Sequence, residues 1–367
     1  MKYNRILKKL SILLIPFFVY IFWSILFYNY SKLVPIKDAY YYKLMSESPF
    51  DPSVSAPFCF RILTPLLAYL IPLDSFTSFY LINTIFFIAT AVLFYYFLKN
   101  LGFNSLFSLI GEVIFTIGSV SNLYLIHNYI MVDQLNQFIF LLACYIICSK
   151  NRLNNNKWNM ILMGLLIIGI LNKETILLLA PIYIVLVSGK IYEKFYKTLI
   201  IFCPAILIFI ILRLTIPYTG TYEGIWIFFH MENLMSTIYN LFLTYSLFWM
   251  LAFYNFKTEI EFLNKTYWTI PIFIAQIFLA SNIYRLIFLS FPIVIPLGLI
   301  ELQRYKKSFG NYLVIFILFS QISISICYIL KTSLEFDFLN IFYFPLIVIS
   351  TLIVTIISLY LYLKRDI

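Results

Sequence analysis

Uncharged apolar runs of roughly twenty residues recur along this chain, and they constrain its fold more than any other feature. Two of them are SILLIPFFVYIFWSILFY at 11–28 and IFYFPLIVISTLIVTIISLYLYL at 341–363. Hydrocarbon offers no hydrogen-bond partner to the backbone, so a segment crosses it as a helix of about 20 apolar residues or as part of a closed barrel. The runs are continuous instead of alternating in polarity, which argues against an outer-membrane barrel. Charged residues make up only 11% of the chain, against roughly 25% in a soluble domain. A soluble enzyme, a disordered chain and a disulfide-stapled secreted module are excluded on that ground.

Further runs lie at 75–98, 104–124, 129–149, 176–188, 198–216, 238–254, 267–281, 286–300 and 312–330. The expected fold is therefore all-α, a polytopic transmembrane helical bundle of about 11–13 spans. It covers 1–367 as a single transmembrane domain, with no soluble domain. Residues 158–188 read as two broken half-spans. Residues 61–73 are too short to cross and read as an interfacial or re-entrant helix within the first outer loop, 30–73.

The net charge of +10 raises nucleic acid as a partner, but the placement of the charges is that of a topology signal. With the N-terminus inside, eighteen of the 26 Lys and Arg fall on the cytoplasmic side, as the positive-inside rule requires. They include Lys2, Arg5, Lys8 and Lys9, then Lys150, Arg152 and Lys157, and later Arg304, Lys306 and Lys307. Lys257, Lys364 and Arg365 belong to the same side. Both termini are then cytoplasmic, and the expected location is the bacterial inner membrane, multi-pass, with membrane lipids as neighbours and no nucleic acid. The first run lacks a small-x-small cleavage site and reads as a retained span. The five cysteines form no C-x-x-C pair and no Cys/His cluster, so neither a disulfide framework nor a zinc site is supported.

The unusual polar residues collect on the outer side. Asp38 precedes a triple tyrosine, Tyr40-Tyr41-Tyr42, and Arg61 follows Pro57-Phe58-Cys59-Phe60. His127-Asn128-Tyr129 and Asp133-Gln134 sit where two apolar runs meet. Asn172-Lys173-Glu174-Thr175 separates the two half-spans, Tyr284-Arg285 opens another run, and His230 and Glu232 lie in an outer loop. On spacing alone each has a structural reading beside a functional one. Asp38 is a solvated loop acid or a reacting carboxylate. Lys173 and Glu174 pair with each other, anchor the interface, or bind a ligand. Arg61, Arg213 and Arg285 snorkel to headgroups or face a cavity. Glu112, in IGEVIF, is a helix–helix hydrogen-bond partner or a proton-relay acid near the bilayer centre.

A carboxylate beside Arg and Lys at an outer interface suits group transfer from a lipid phosphate. The carboxylate accepts a proton from an attacking hydroxyl, and the cations hold the phosphate and stabilise the leaving anion. No G-x-x-x-x-G-K-[ST] run and no Gly-rich turn after a strand is present, so the donor would be a preactivated lipid.

These elements carry a family resemblance. Asp38 lies in the long first outer loop after one span, and many spans follow. Pro57-Phe58, Arg61-Ile62-Leu63-Thr64-Pro65, and Asn172-Lys173-Glu174-Thr175 with its apolar run to Pro181 add to the pattern, as do Tyr284-Arg285, Phe291-Pro292 and Pro296. The chain resembles the GT-C class of polytopic membrane glycosyltransferases, and as a pattern the resemblance covers most of it. The class places an essential acid in the first extracytoplasmic loop and takes its sugar from a lipid carrier. Two departures stand out: Asp38 is followed by Ala39 where many members carry paired acids, and many members carry a soluble C-terminal domain.

The resemblance implies an inverting glycosyltransferase that moves a sugar from a polyprenyl-phosphate donor to a glycan, lipid or protein acceptor at the extracytoplasmic face. Asp38 is then the general base, and Asp133, otherwise among the substrate-binding residues, is the second acid to consider if the base is not Asp38. Arg61, Lys173 and Arg285 bind the donor phosphate, and Tyr41, Glu174 and His127 shape the acceptor side. No metal and no cofactor are expected, because Arg and Lys neutralise the phosphate. An O-antigen-type polymerase is the nearest alternative, although the outer loops after residue 73 are short for one. A transporter or flippase of lipid-linked glycan is the alternative from another class. It needs a polar path, for which Glu112 is the mid-depth acid, and inverted repeats, which are not visible.

Overall fold

The computed structural model describes residues 12–25, 37–217, 234–254, 258–279, 283–334, 347, 349–354 and 356–357. Lys2, Arg5, Lys8, Lys9, His230, Glu232, Lys257, Lys364 and Arg365 lie outside the described residues, as does most of the run 341–363.

Every regular element among the described residues is helical. Ser75–Asn100, Ile191–Thr215, Ile283–Phe309 and Asn311–Tyr328 are long and apolar enough to cross a membrane. Two more spans follow if each bent pair counts as one. Ser105–Thr116 and Val120–His127 are bent by 50°, and Leu234–Tyr245 and Leu247–Phe253 by 80°. Ile12–Ile25, Asp133–Ile147, Asn156–Asn172 and Glu174–Leu186 are apolar but shorter. The described chain is thus a helical membrane-type bundle with four to six full-length spans, beside an expectation of about 11–13. Most of the run 341–363 lies outside the described residues, and other runs form short helices: 129–149 and 158–171 contain or abut Asp133, Asn136 and Lys173, where polar bonds outside the helix take over.

The helices group into two units. One holds the described residues within Met1–Val19, Phe94–Tyr124 and Trp226–Ile367, the other those within Tyr20–Leu93 and Leu125–Ile225.

In the first unit, Phe291–Phe309 is central, and Leu247–Phe253, Ser105–Thr116 and Asn311–Leu334 pack on it. Gly298 permits the closest of these approaches, since a Cβ there would stand 2.5 Å from Cδ1 of Phe248. Phe115 and Phe291 lie 5.0 Å apart by ring centroids, with Phe94 at 5.6 and 5.3 Å from them. Ring pairs of this kind add about 0.5–1.5 kcal/mol beyond their burial. The two helix breaks of this unit share one partner. Gln321 Nε2 donates to the Gly118 carbonyl at 2.6 Å, and Gln321 Oε1 accepts from the Leu247 amide at 3.0 Å. Ser325 Oγ also donates to Gly118 O, at 3.0 Å. Backbone groups freed by a break have no water to turn to in hydrocarbon, and these two side chains take its place.

In the second unit, Asn156–Asn172 packs against both Ile191–Thr215 and Asp133–Ile147, and Lys37–Glu47 packs on Leu63–Leu70. Leu63–Leu70 is the short helix expected within 61–73, and its 8 residues are too few to cross. The break expected within 158–188 falls at Lys173, whose φ of −163° and ψ of 134° are extended. Beyond it, the turn Glu174–Leu178 folds back on the preceding helix because Gly169 leaves room. A Cβ at Gly169 would meet Cγ1 of Ile176 at 2.5 Å. Asp74 starts the helix Ser75–Asn100 by accepting from the Thr77 amide at 3.1 Å.

Candidate functional site

The most polar part of the second unit is built around the break at Lys173. Four consecutive residues each bond to a different point of two other segments. Asn172 Nδ2 donates to the Val132 carbonyl at 2.8 Å, and its Oδ1 accepts from Thr64 Oγ1 at 2.5 Å. Lys173 Nζ stands 2.7 Å from Asp133 Oδ1, with side-chain exposures of 3% and 4%. Glu174 receives Arg61, and Thr175 Oγ1 accepts from Asn136 Nδ2 at 3.0 Å. Lys173 and Glu174 thus each take an ion-pair partner of their own, Asp133 and Arg61. The extended backbone at Lys173 separates the end of one helix from the turn that begins at Glu174, and the two side chains reach different partners.

Arg61 lies between the turn Phe58–Phe60 and the helix Leu63–Leu70. Its Nε donates to Glu174 Oε2 at 3.1 Å and its Nη2 donates to Glu174 Oε1, the two-pronged fit of a guanidinium to a carboxylate. Its Nη1 donates to the Tyr42 hydroxyl at 2.9 Å. Burial works against the charged guanidinium, but the Glu174 carboxylate and Tyr42 outweigh it and hold Arg61 above the ordinary arginine range. A third cation joins from Ile191–Thr215, where Arg213 lies over the rings of Phe60, 4.8 Å away, and Phe209, 3.6 Å away.

Asp38 stands in the first turn of Lys37–Glu47 and is half-buried. Tyr41 and Tyr42 follow three and four residues later, on the same helix face. The Tyr41 ring stacks on Phe58 with centroids 5.1 Å apart, and its hydroxyl accepts from Ser55 Oγ at 2.9 Å. With Tyr42 on Arg61, the face of this helix that carries Asp38 is the one that closes on the charged centre. Burial pushes the Cys59 thiol up to about 11, which favours the protonated form.

The structure brings together Arg61, Glu174, Lys173, Asp133 and Tyr41, with Asp38 on the helix face that meets them. His127 is in the same unit, half-buried at the end of Val120–His127. Arg285 belongs to the other unit, in Ile283–Ile287, and is 6% exposed. Arg61 and Lys173, expected to receive a phosphate, are each held by a carboxylate here. Tyr42, Thr64, Asn136 and Asn172 are part of the centre and were not among the expected residues. The signal for Tyr42 was its place four residues after Asp38, and for Asn172 its place beside Lys173. Gln134 is fully buried and, among the described residues, neither its Oε1 nor its Nε2 has a hydrogen-bond partner. Among the described residues no three or more His, Cys, Asp or Glu converge on a common point that would hold a metal ion.

Chemically, this is a centre of alternating charge with no net excess of either sign in its two ion pairs, one of them buried and the other partly open at Glu174. It fixes the segment 55–64 against the break at 173, and through Tyr42 it is tied to the helix whose first turn carries the half-buried Asp38. No protein-family model matches the chain, and no curated protein and no solved structure is significantly similar to it.

Proposed function

We propose that the chain is a membrane-embedded glycosyltransferase that takes a sugar from a polyprenyl-phosphate carrier and passes it to an acceptor at the extracytoplasmic face. The observation that supports this reading best is the placement of Asp38. It lies on the helix face whose Tyr41 and Tyr42 pack onto the Arg61 turn. In the reaction, an acceptor hydroxyl gives its proton to the Asp38 carboxylate as its oxygen bonds to the anomeric carbon. The bond from that carbon to the phosphate oxygen breaks, and the polyprenyl phosphate leaves with the electron pair. Arg61 and Lys173 stabilise the leaving anion by exchanging part of their contact with Glu174 and Asp133 for phosphate oxygens. Their carboxylate partners keep them in place, aligned and charged, until the donor arrives.

The test is a surface-glycan profile by mass spectrometry. A strain lacking the gene is compared with the same strain carrying wild type or Asp38→Asn at matched membrane levels. Wild type is expected to restore a defined sugar and Asp38→Asn to fall short by roughly a hundredfold or more, the usual range for loss of a general base. Full restoration by Asp38→Asn would overturn the reading. A changed chain-length distribution without loss of a sugar would assign the chain to the polymerases instead.

A second reading, transport of a lipid-linked glycan, is favoured by one specific feature of the first unit. Both bent spans are there, and Glu112 on Ser105–Thr116 is fully buried with neither carboxylate oxygen hydrogen-bonded among the described residues. Broken helices and a buried acid at mid-depth are the usual furniture of a transport path. In the same assay, Glu112→Gln abolishing restoration while Asp38→Asn leaves it intact would select this reading.

A further inference from the structure

The first unit contains a cavity of about 830 Å³ between residues 258–264 and the last turns of Phe291–Phe309. Ligand pockets typically measure about 300–1,000 Å³, and none of the candidate-site residues above lines this one. We infer that it holds the phosphate of an anionic lipid headgroup.

The argument begins with charge. Arg304 and Lys307, one helical turn apart, both line the cavity. Among the described residues, Arg304 spends only Nη1 on a protein partner, Glu301 Oε2 at 2.9 Å, and Glu301 itself is 1% exposed. The remaining guanidinium nitrogens are left for a ligand. Lys307 is exposed and, among the described residues, forms no ion pair or hydrogen bond. Glu259 is the one carboxylate of the lining among the described residues. With Glu301 paired to Arg304, the four charged groups balance, so a phosphodiester is drawn here by the uncommitted guanidinium nitrogens and the Lys307 ammonium and not by a net charge.

The remaining lining fits the rest of such a headgroup. Asn264 and Gln303 offer amide donors for the phosphate and glycerol oxygens. Ile260 and Ile300 supply an apolar wall, against which the glycerol and the first acyl carbons can lie. The helix C-terminus is the negative end of the macrodipole and favours the two lysines and the arginine gathered there. It leaves the ligand to be held by their side chains instead of by backbone amides. Basic pockets at the end of a span are the usual site for anionic lipid headgroups.

The same chemistry could come from free phosphate, and the experiment separates the two. Full-length protein in a neutral detergent is examined by native mass spectrometry with phosphatidylglycerol, with phosphatidylcholine and, in a third arm, with inorganic phosphate as competitor. Wild type is expected to retain one phosphatidylglycerol, to retain phosphatidylcholine at least about tenfold less, and to keep its lipid in millimolar phosphate. Arg304→Gln/Lys307→Gln is expected to lose phosphatidylglycerol retention about tenfold, while Lys265→Gln is expected to keep it. Lys265 pairs with Glu261 at 2.8 Å and does not line the cavity. If the double variant does not survive purification, the exposed Lys307→Gln alone is expected to weaken retention about threefold. Equal retention by wild type and variant, or displacement of the lipid by inorganic phosphate, would overturn the assignment.

Discussion

A buried ion pair holds its members in place more than it stabilises the fold, and the Lys173–Asp133 pair makes that difference measurable. Both side chains are almost entirely removed from solvent, at 3% and 4% exposure. Removing one partner leaves a charge that the interior cannot screen, at a cost of about 3–5 kcal/mol, whereas replacing both by apolar groups is often neutral. Lys173→Met is therefore expected to lower unfolding stability in mixed micelles by about 3–5 kcal/mol. Lys173→Met/Asp133→Leu should recover most of that loss. A double variant as unstable as the single one would mean that the pair is integral to the fold of the break. If the double variant is stable yet inactive in the glycan assay, the pair is kept for its chemistry. The Arg61–Glu174 pair is more open, with 29% of the Glu174 side chain exposed, so loss of one partner there is expected to cost less.

Among the elements, the breaks in the helices carry the strongest expectations. Gln321 reaches two of them at once, through Gly118 O and the Leu247 amide. Gln321→Leu strands the Leu247 amide, while Gly118 keeps the Ser325 hydroxyl. The loss expected is that of one unsatisfied buried donor, about 1–3 kcal/mol, read as a shift in denaturation midpoint. Hydrogen exchange at residue 247 should quicken by more than at 118, and equal acceleration at both breaks would refute the assignment of roles. The start of Ser75–Asn100 offers a pH-dependent counterpart. Hydrogen bonds from the Thr77 hydroxyl and amide hold the Asp74 carboxyl below its usual range. A group depressed in the folded state stabilises above its ordinary pKa, near 3.9 for Asp, and loses that contribution as pH falls through the folded value. Protection of the Thr77 amide should accordingly be full at neutral pH and decline only below about pH 4, and Asp74→Asn should flatten that decline.

For the whole molecule, the sequence and the structure meet most closely where polarity interrupts apolar runs. The break at Lys173 and the short helix after Arg61 were legible, because charges and prolines in hydrocarbon-length runs leave a helix few ways to continue. The pairing of Lys173 with Asp133 was not, since it joins residues forty positions apart and depends on the extended backbone at Lys173. Nor were the bends at Gly118 and Ser246, whose stabilising partner, Gln321, lies far along the chain. What charge placement does predict at this scale is sidedness, and sidedness decides the chemistry. If the basic loops are cytoplasmic, Ser53 faces outward and Asn154 faces inward. Both are exposed. In intact cells, Ser53→Cys should react with a membrane-impermeant maleimide, and Asn154→Cys should react only after permeabilisation. The unsubstituted chain gives the background, since Cys59 and Cys144 are buried and the other three cysteines are half-buried. The converse labelling would turn the Arg61 centre toward the cytoplasm. Nucleotide-activated sugars are present on that side, and a polyprenyl-phosphate donor would no longer be required by where the site lies.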